Sequence, residues 1–329
     1  MEEIVTKVIE QCPLCGNSGA LYQTDVQDPD GLISRSWQFK RCDSKSCQFV
    51  WLSPAPLESE LWKAYVQYHT HTRKRESRIF RLVEGLINRL VRLVFLPLWL
   101  ASGLYQDTRR MRLLMLGDLT PGKLLDVGCG GGRYLNRMQR LGWQAEGVDF
   151  DEQATRRARE QYGVKTYTGD LCALHLSDNH YDAITMSHTI EHLVHPQATL
   201  QECWRILKPG GRLVLVTPNV ESNAANLFGV FWRGWEPPRH LQLFSADTLS
   251  QLAQRSGFKV AEVRTSAAAS AIVYRVSAGN QQPTKKTSLF FKIKQLPFAY
   301  IQEFRDHFAQ RGGKLVAQNL LLIANKPNN

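Results

Sequence analysis

The 329-residue sequence predicts an α/β fold: a mostly parallel Rossmann-like sheet with a small cysteine-bearing module ahead of it and helical insertions around it. Short apolar runs alternate with amphipathic stretches from 119 to 217, the pattern of stacked βα units. A glycine-rich turn, Asp126–Arg133 (DVGCGGGR), stands where the first of those runs hands over to a helix. Acidic residues then recur at the ends of successive strands, as Asp126, Asp149 and Asp170.

The elements follow in order. The first strand is Lys123–Gly128, with a helix over 131–141, and the second is Gln144–Asp149, with a helix over 152–162. Val164–Thr168 and Tyr181–Ser187 read as the third and fourth strands. A helix over 196–207 should stop at Lys208-Pro209-Gly210-Gly211, because proline and glycine do not continue a helix. A fifth strand then runs from Arg212 to Thr217, and 258–264 and 314–325 read as two more. Upstream, Leu61, Ala64, Tyr65 and Tyr68 fall at helical spacing. The chain thus divides into a cysteine module over 1–54, a helical linker or lid over 55–118, and a sheet domain over 119–329 with an insertion at 218–244.

Composition excludes disorder, since 43% of residues are hydrophobic and 22% charged. The net charge of +11 points to an acidic partner (nucleic acid, an anionic membrane surface or a phosphorylated substrate), unless it only keeps the protein soluble. Residues 1–11 carry Glu2 and Glu3 and no apolar core, so no secretory leader is expected. Of the seven cysteines, four sit in two close pairs, which in a reducing cytoplasm favours metal over disulfides.

The glycine turn lies at the carboxyl end of a strand, where open parallel sheets bind ligands. A dinucleotide fingerprint needs a glycine where Arg133 stands, and a phosphate loop needs Gly-Lys-Ser/Thr, so both fail. What remains is an acid two residues ahead of closely spaced glycines. Asp126 can face the cationic amino group of a methionine moiety, Asp149 can accept from ribose hydroxyls, and Asp170 can accept from an adenine amino group.

The motifs DVGCGGGRYL, AEGVDF, TGDL, YDAITMSHTIEHL and LKPGGRLVLVTPN, in that order and spacing, resemble those of class I S-adenosylmethionine-dependent methyltransferases. The resemblance is close over about 120–220 and looser over the last strands. It implies a seven-stranded sheet with a reversed last strand, for which 314–325 is the candidate. It also implies that Asp126, Gly128, Gly130, Gly132, Asp149, Phe150 and Asp170 line the pocket of S-adenosylmethionine, with Cys129, Leu171 and Ser187 as neighbours on the same turns.

Cys12-Pro-Leu-Cys15 and Cys42-Asp-Ser-Lys-Ser-Cys47 would supply four thiolates to a tetrahedral structural zinc, which leaves no open position for chemistry. The second pair departs from the usual two-residue spacing by having four residues between its cysteines. Lost or redox-active thiols are the alternatives. A four-Cys module followed by Trp-Leu-Ser-Pro-Ala-Pro resembles a bacterial subset of these methyltransferases that modify small molecules, sugars and lipids. Cys129, Cys172 and Cys203 read as buried small side chains.

Candidate bases for methyl transfer are His188, Glu191, His192 and His240. The segment 188–192 resembles that of ubiquinone-pathway O-methyltransferases, which hold a divalent metal there with acids and a histidine. This chain has His188 in place of an acid, which counts against metal assistance, although His188, Glu191 and His192 are all metal-ligand types. Glu191 and His192 can instead orient the cofactor loop, or one of them act as a base. The aromatic run Phe228–Phe244 reads as an acceptor-site lid or a core plug, with Arg239 and His240 its polar residues for recognition or base work.

Arg73, Lys74, Arg75, Arg78 and Arg81 precede an apolar stretch from Leu86 to Tyr105, which Arg89, Arg92 and Pro97 make unsuitable for crossing a bilayer. Ile79, Leu82, Val83, Leu86, Ile87, Leu90 and Val94 recur at helical spacing, and 288–304 repeats the theme. Such helices suit an anionic membrane surface, at the inner face of a membrane, or a cover over the active site. A small-molecule, sugar or lipid-linked acceptor is favoured. An RNA methyltransferase is the main alternative; nucleic acid is less favoured because the fourth strand lacks the Asn/Asp-Pro-Pro-aromatic signature. A non-catalytic S-adenosylmethionine-binding protein is the third.

Overall fold

The computed structural model describes residues 4–31, 33–65, 78–282 and 288–328, of which 78–84, 92 and 289 are described by their backbone alone. Arg73, Lys74, Arg75 and Tyr68 lie outside the described residues, and of Arg78, Ile79, Arg81, Leu82 and Val83 only the backbone is described. In chain order the strands are β1 (Thr6–Lys7), β2 (Gly19–Val26), β3 (Trp37–Cys42), β4 (Val50–Leu52), β5 (Ala55–Pro56), β6 (Lys123–Val127), β7 (Gln144–Asp149), β8 (Lys165–Thr168), β9 (Tyr181–Ser187), β10 (Leu207–Pro218), β11 (Gln242–Leu243), β12 (Lys259–Ser266) and β13 (Asn319–Asn325). The helices are α1 (Arg78–Ala101), α2 (Leu104–Arg112), α3 (Arg133–Gln139), α4 (Glu152–Tyr162), α5 (Pro196–Ile206), α6 (Asn223–Phe228), α7 (Ala246–Arg255), α8 (Ser270–Gln281) and α9 (Leu289–Arg311). Contacts divide the chain into two units, one of 109–217, 246–264 and 320–329, the other of 1–108, 218–245 and 265–319.

The first unit is built on the expected sheet, with strand order β12-β13-β10-β9-β6-β7-β8. The ladders β6–β7, β7–β8, β6–β9 and β9–β10 are parallel. Leu124, Leu125, Ala183, Ile184, Met186 and Leu213–Leu215 are fully buried, as a parallel sheet covered on both faces requires. The last strand is reversed, as expected. Lys326 N–H bonds Gly211 and Gly210 N–H bonds Lys326, while Asn219 N–H bonds Gln318, so partners rise on one side as they fall on the other.

Several helix ends follow local chemistry. Asp151 caps α4 by accepting from the N–H groups of Gln153 and Ala154, and Gly163 closes it in the left-handed region at φ 65°. Proline opens α5 at Pro196. One boundary differs from expectation: Lys208–Gly211 does end the helix, but it also extends β10 back to Leu207. The cause lies far away in sequence, in the bonds between Gly210, Gly211 and Lys326.

The second unit holds an antiparallel sheet β11-β4-β3-β2, a short β1–β5 pair, and helices α1, α6, α8 and α9. The residues expected as a separate insertion over 218–244 cluster here, with β11 paired to β4 as Gln242↔Trp51 and Leu243↔Val50. The module over 1–54 therefore shares its sheet with a segment some two hundred residues away. Four rings of the insertion are core side chains: Phe228, Trp232, Trp235 and Phe244 are buried, and Phe231 alone of the five is exposed. Trp235 packs on Phe39 at 4.8 Å and against Trp232 at 5.4 Å, while the Trp232 Nε1–H donates to Gln318 Oε1 at 3.1 Å.

A buried ion cluster ties the insertion to the N-terminal module. Fully buried Arg239 donates to Asp28 at 2.7 Å, Glu236 at 3.0 Å and Asp30 at 3.1 Å. Removing the cation from such a cluster strands charges in a low-dielectric interior. Arg239→Leu should therefore cost about 3–5 kcal/mol, whereas Arg156→Ala, whose pair with Glu160 is exposed on both sides, should cost less than about 1 kcal/mol. Urea unfolding of the two variants against wild type measures both, and equal losses would contradict the assignment.

Candidate functional site

The first site is the row of turns at the carboxyl ends of β6, β7 and β8. Asp126 and Thr185 face each other in the β6–β9 ladder, and the Thr185 hydroxyl donates to Asp126 Oδ1 at 2.6 Å. Burial pushes the Asp126 carboxyl up to about 7, which the Thr185 bond opposes and the charge of Asp149 reinforces. At Gly128 the turn runs at φ 79°, and a Cβ there would stand 2.1 Å from the Thr189 hydroxyl. Thr189 in turn donates to the Val127 carbonyl at 3.1 Å, so the residue packed over the glycine also fixes the strand end. Gly132, at φ 73°, has the same restriction, since a Cβ would meet Ala158 at 2.7 Å.

Between these two glycines the backbone is bare. A Cβ at Gly130 or Gly131 would meet nothing within 4 Å, so this stretch borders open space. Asp149 holds it: one carboxylate oxygen accepts from Gly130 N–H at 2.8 Å and the other from Asp151 N–H at 3.0 Å. Burial raises the Asp149 pKa, and these backbone bonds oppose that. With the Phe150 N–H as a further backbone donor, the carboxylate still has lone-pair capacity for a ligand. Phe150 and Asp170 are exposed, Leu171 is buried, and Ser187 ends β9 half-buried.

The segment after β9 forms a single 3-10 turn, Ile190–His192. Its start is pinned by the His188 N–H bond to Val216 at 2.8 Å, with His188 at φ 53°. Glu191 is fully buried, accepts from the Thr217 hydroxyl at 3.0 Å, and lies 3.4 Å from Nδ1 of the half-exposed His188. His192 is partly buried. Thr185, Thr189 and Thr217 escaped the sequence reading. Thr185 and Thr217 are inward positions of otherwise apolar strands and Thr189 opens the 3-10 turn, signals that are weak without the ladder register.

His240 sits in the other unit and is buried there, its Nδ1 2.7 Å from the Gly234 carbonyl and its Nε2 3.7 Å from Glu236. Arg239, expected beside it for recognition, is instead committed to the ion cluster with Asp28, Asp30 and Glu236. Of the three cysteines expected to be buried, Cys129 and Cys203 are, whereas Cys172 is half-buried.

The second site gathers Cys12, Cys15, Cys42 and Cys47, whose sulfurs all lie within 4.8 Å of one another. Cys12 and Cys47 are 3.8 Å apart and Cys15 and Cys42 3.4 Å apart. The edge of a tetrahedron with metal–sulfur bonds of about 2.3 Å is about 3.8 Å, so the set fits a zinc ion. Burial opposes ionisation of Cys15, yet the Asn17 N–H and the neighbouring thiols bring it down to about 7. The four-residue spacing of the second pair closes through Cys47 N–H and Gln48 N–H, which both bond the Ser44 carbonyl. The Gln48 side chain ties the Cys42 and Ser44 carbonyls together, another contact absent from the sequence reading.

Residues 102–263 match a family described as a methyltransferase domain. A ubiquinone biosynthesis O-methyltransferase of Xanthomonas oryzae pv. oryzae is 37% identical over 111 residues, 31% of this chain and 45% of the relative. The corresponding enzyme of Pectobacterium atrosepticum is 31% identical over 140 residues, 38% of this chain and 58% of the relative. The chain thus spans about half the length of the curated relatives it matches. Among solved structures, an S-adenosylmethionine-dependent methyltransferase of Archaeoglobus fulgidus superposes with TM-score 0.46 at 18% identity, covering 68% of this chain and 94% of that one.

The burial of Asp126 has a measurable consequence. A folded-state pKa of about 7 lies above the ordinary carboxylate value of about 4, so the folded protein keeps a proton that the unfolded chain has released. That contribution to stability is present below about pH 4 and is lost as pH rises to about 7. Urea unfolding across this range should show Asp126→Asn losing a few kcal/mol less than wild type; parallel pH profiles would contradict the burial argument. The strand order, the glycine turn and the family match together place a methyltransferase domain over residues 102–263.

Proposed function

We propose that the protein transfers a methyl group from S-adenosylmethionine to oxygen or carbon of a small-molecule, sugar or lipid-linked acceptor. The observation that carries this reading is the row of acids, Asp126, Asp149 and Asp170, around a bare backbone stretch at Gly130–Gly131. When bound there, the cofactor supplies an electrophilic methyl group on a positively charged sulfur.

The chain's own groups account for the rest. Asp126, oriented by Thr185, pairs with an ammonium group, and Asp149 accepts from ribose hydroxyls while its backbone bonds keep it aimed. Asp170 accepts from the adenine amino group, Phe150 offers an apolar face, and Cys129, Leu171 and Ser187 bound the same pocket. Glu191, held by Thr217 and facing His188, is the leading proton acceptor for an acceptor hydroxyl, with His188 or His192 as relay. The same donor types suit a divalent metal. His240 is a secondary base candidate. The acceptor class draws its support from the ubiquinone biosynthesis O-methyltransferases that the chain is similar to.

The four thiols are proposed to hold a structural zinc that stabilises the N-terminal sheet, and such reduced cysteines suit a cytoplasmic protein.

Equilibrium binding of S-adenosylmethionine tests the cofactor assignment. Asp149→Ala should weaken it by at least about tenfold, whereas Glu191→Gln should leave binding intact and lower turnover by about 100-fold. Wild type that does not bind the cofactor would end the proposal. Feeding cells methyl-deuterated methionine with and without the gene identifies the acceptor. Label lost from the RNA fraction rather than from polar or lipid fractions would replace the acceptor class.

Metal analysis tests the second site. The purified protein should carry about one zinc per chain, and the Cys12→Ser, Cys15→Ser double variant should carry none and melt earlier. Equal metal content in both would remove the zinc assignment.

A further inference from the structure

We infer that α1, α8 and α9 form a docking surface for an anionic lipid bilayer. Among the described residues no helix is long and apolar enough to cross a membrane, so the surface would lie on the bilayer and not in it.

Helix α1 is apolar on two faces. Its inward face packs on α9, where Phe95 stacks on Tyr300 at 5.2 Å and on Phe304 at 5.8 Å. Its outward face carries Leu86, Leu90, Leu93, Val94 and Leu98, between 44% and 77% exposed. Spacings of four, three, one and four residues keep them on one stripe of the helix, roughly 20 Å long at 1.5 Å per residue. A helix that meets only water places charges on that side. In the same unit Phe290, at the start of α9, and Ile272, on α8, are 76% and 59% exposed. A groove of about 250 Å³ between these helices is lined mainly by apolar groups, including Ile272, Val276 and Phe291, with Arg275 and Lys292 among them.

Charge selects the occupant. The described residues 270–282 and 288–302 contain Arg275, Lys292 and Lys294 and no acid, and α1 carries Arg78, Arg81, Arg89 and Arg92 against Glu84. A second copy of the chain would bring these like charges together, at a cost. A bilayer with anionic headgroups takes the leucine stripe into its interfacial region and the cations at its surface. This surface is independent of the methyl-transfer reading, because its binding is measured without cofactor.

The test is co-sedimentation of the full chain with vesicles of phosphatidylcholine alone and of phosphatidylcholine mixed with phosphatidylglycerol. Binding to the mixed vesicles only, falling with added salt, is expected. Leu93→Glu with Val94→Glu, both exposed, should weaken it on the order of 100-fold with unchanged circular dichroism. Arg275→Gln with Lys292→Gln should weaken it about tenfold. Wild type that stays in the supernatant with both vesicles overturns the inference. So does sedimentation velocity showing a wild-type dimer that Leu93→Glu converts to monomer while vesicle binding is unaffected.

Discussion

The carboxylate of Asp149 is the contact on which the candidate cofactor site depends. It bonds the N–H of Gly130 in the turn after β6 and the N–H of Asp151 in the turn after β7, so one side chain fixes two neighbouring turns. The ladder register makes this reach available. Asp126 stands opposite Gly147 on one side and Thr185 on the other, and Asp149 stands opposite Thr168. A slip by one residue would turn Asp126 to the other face of the sheet and separate it from Thr185. Gly147 has its own constraint, since a Cβ there would stand 2.6 Å from Cys129. The glycine turn and the strand beside it are thus one packing problem, solved by small residues at two places.

What could be read from the sequence was whatever is set locally. Gln144–Asp149, Glu152–Tyr162 and Tyr181–Ser187 match the expected elements end to end, because apolar runs, an aspartate cap and a glycine stop are all encoded within a few residues. The partners of those elements were not legible. Lys208–Gly211 reads as a stop signal and is also strand, because Lys326 pairs with it across the sheet. The aromatic run after β10 reads as an insertion, yet Gln242 and Leu243 complete a sheet whose other strands lie before Ala55. The three threonines that hold Asp126, Val127 and Glu191 share this invisibility, since each bonds a residue on another strand or turn.

The second unit shows why a four-Cys module of about fifty residues does not need to stand alone. Such a segment buries too little surface to fold unaided, and a metal site is one remedy. Here there are two further remedies. The rings of Trp232 and Trp235 enter its core, and Arg239 anchors them through Asp28 and Asp30. A buried ion cluster is a weak source of stability compared with an apolar core, but it admits few alternative geometries. The arrangement trades some stability for a fixed placement of residues 228–244 on the module.

The two acids nearest the proposed chemistry face opposite demands. Asp126 has to be charged to pair with an ammonium group, while its burial holds the proton up to about 7. Thr185 does not remove that conflict, because a hydroxyl can donate to the charged form or accept from the neutral one. A cation brought alongside stabilises the charged form, so binding of the proposed cofactor would be coupled to proton release from Asp126 below neutral pH. Glu191 differs in that its neighbour is a titratable imidazole, His188, half-exposed to water. A proton accepted there has a route outward through the histidine, whereas a proton on Asp126 has none among the groups bonded to it. The carboxyl ends of the central strands therefore offer one acid that ionises only with a cation beside it and another placed to pass a proton on.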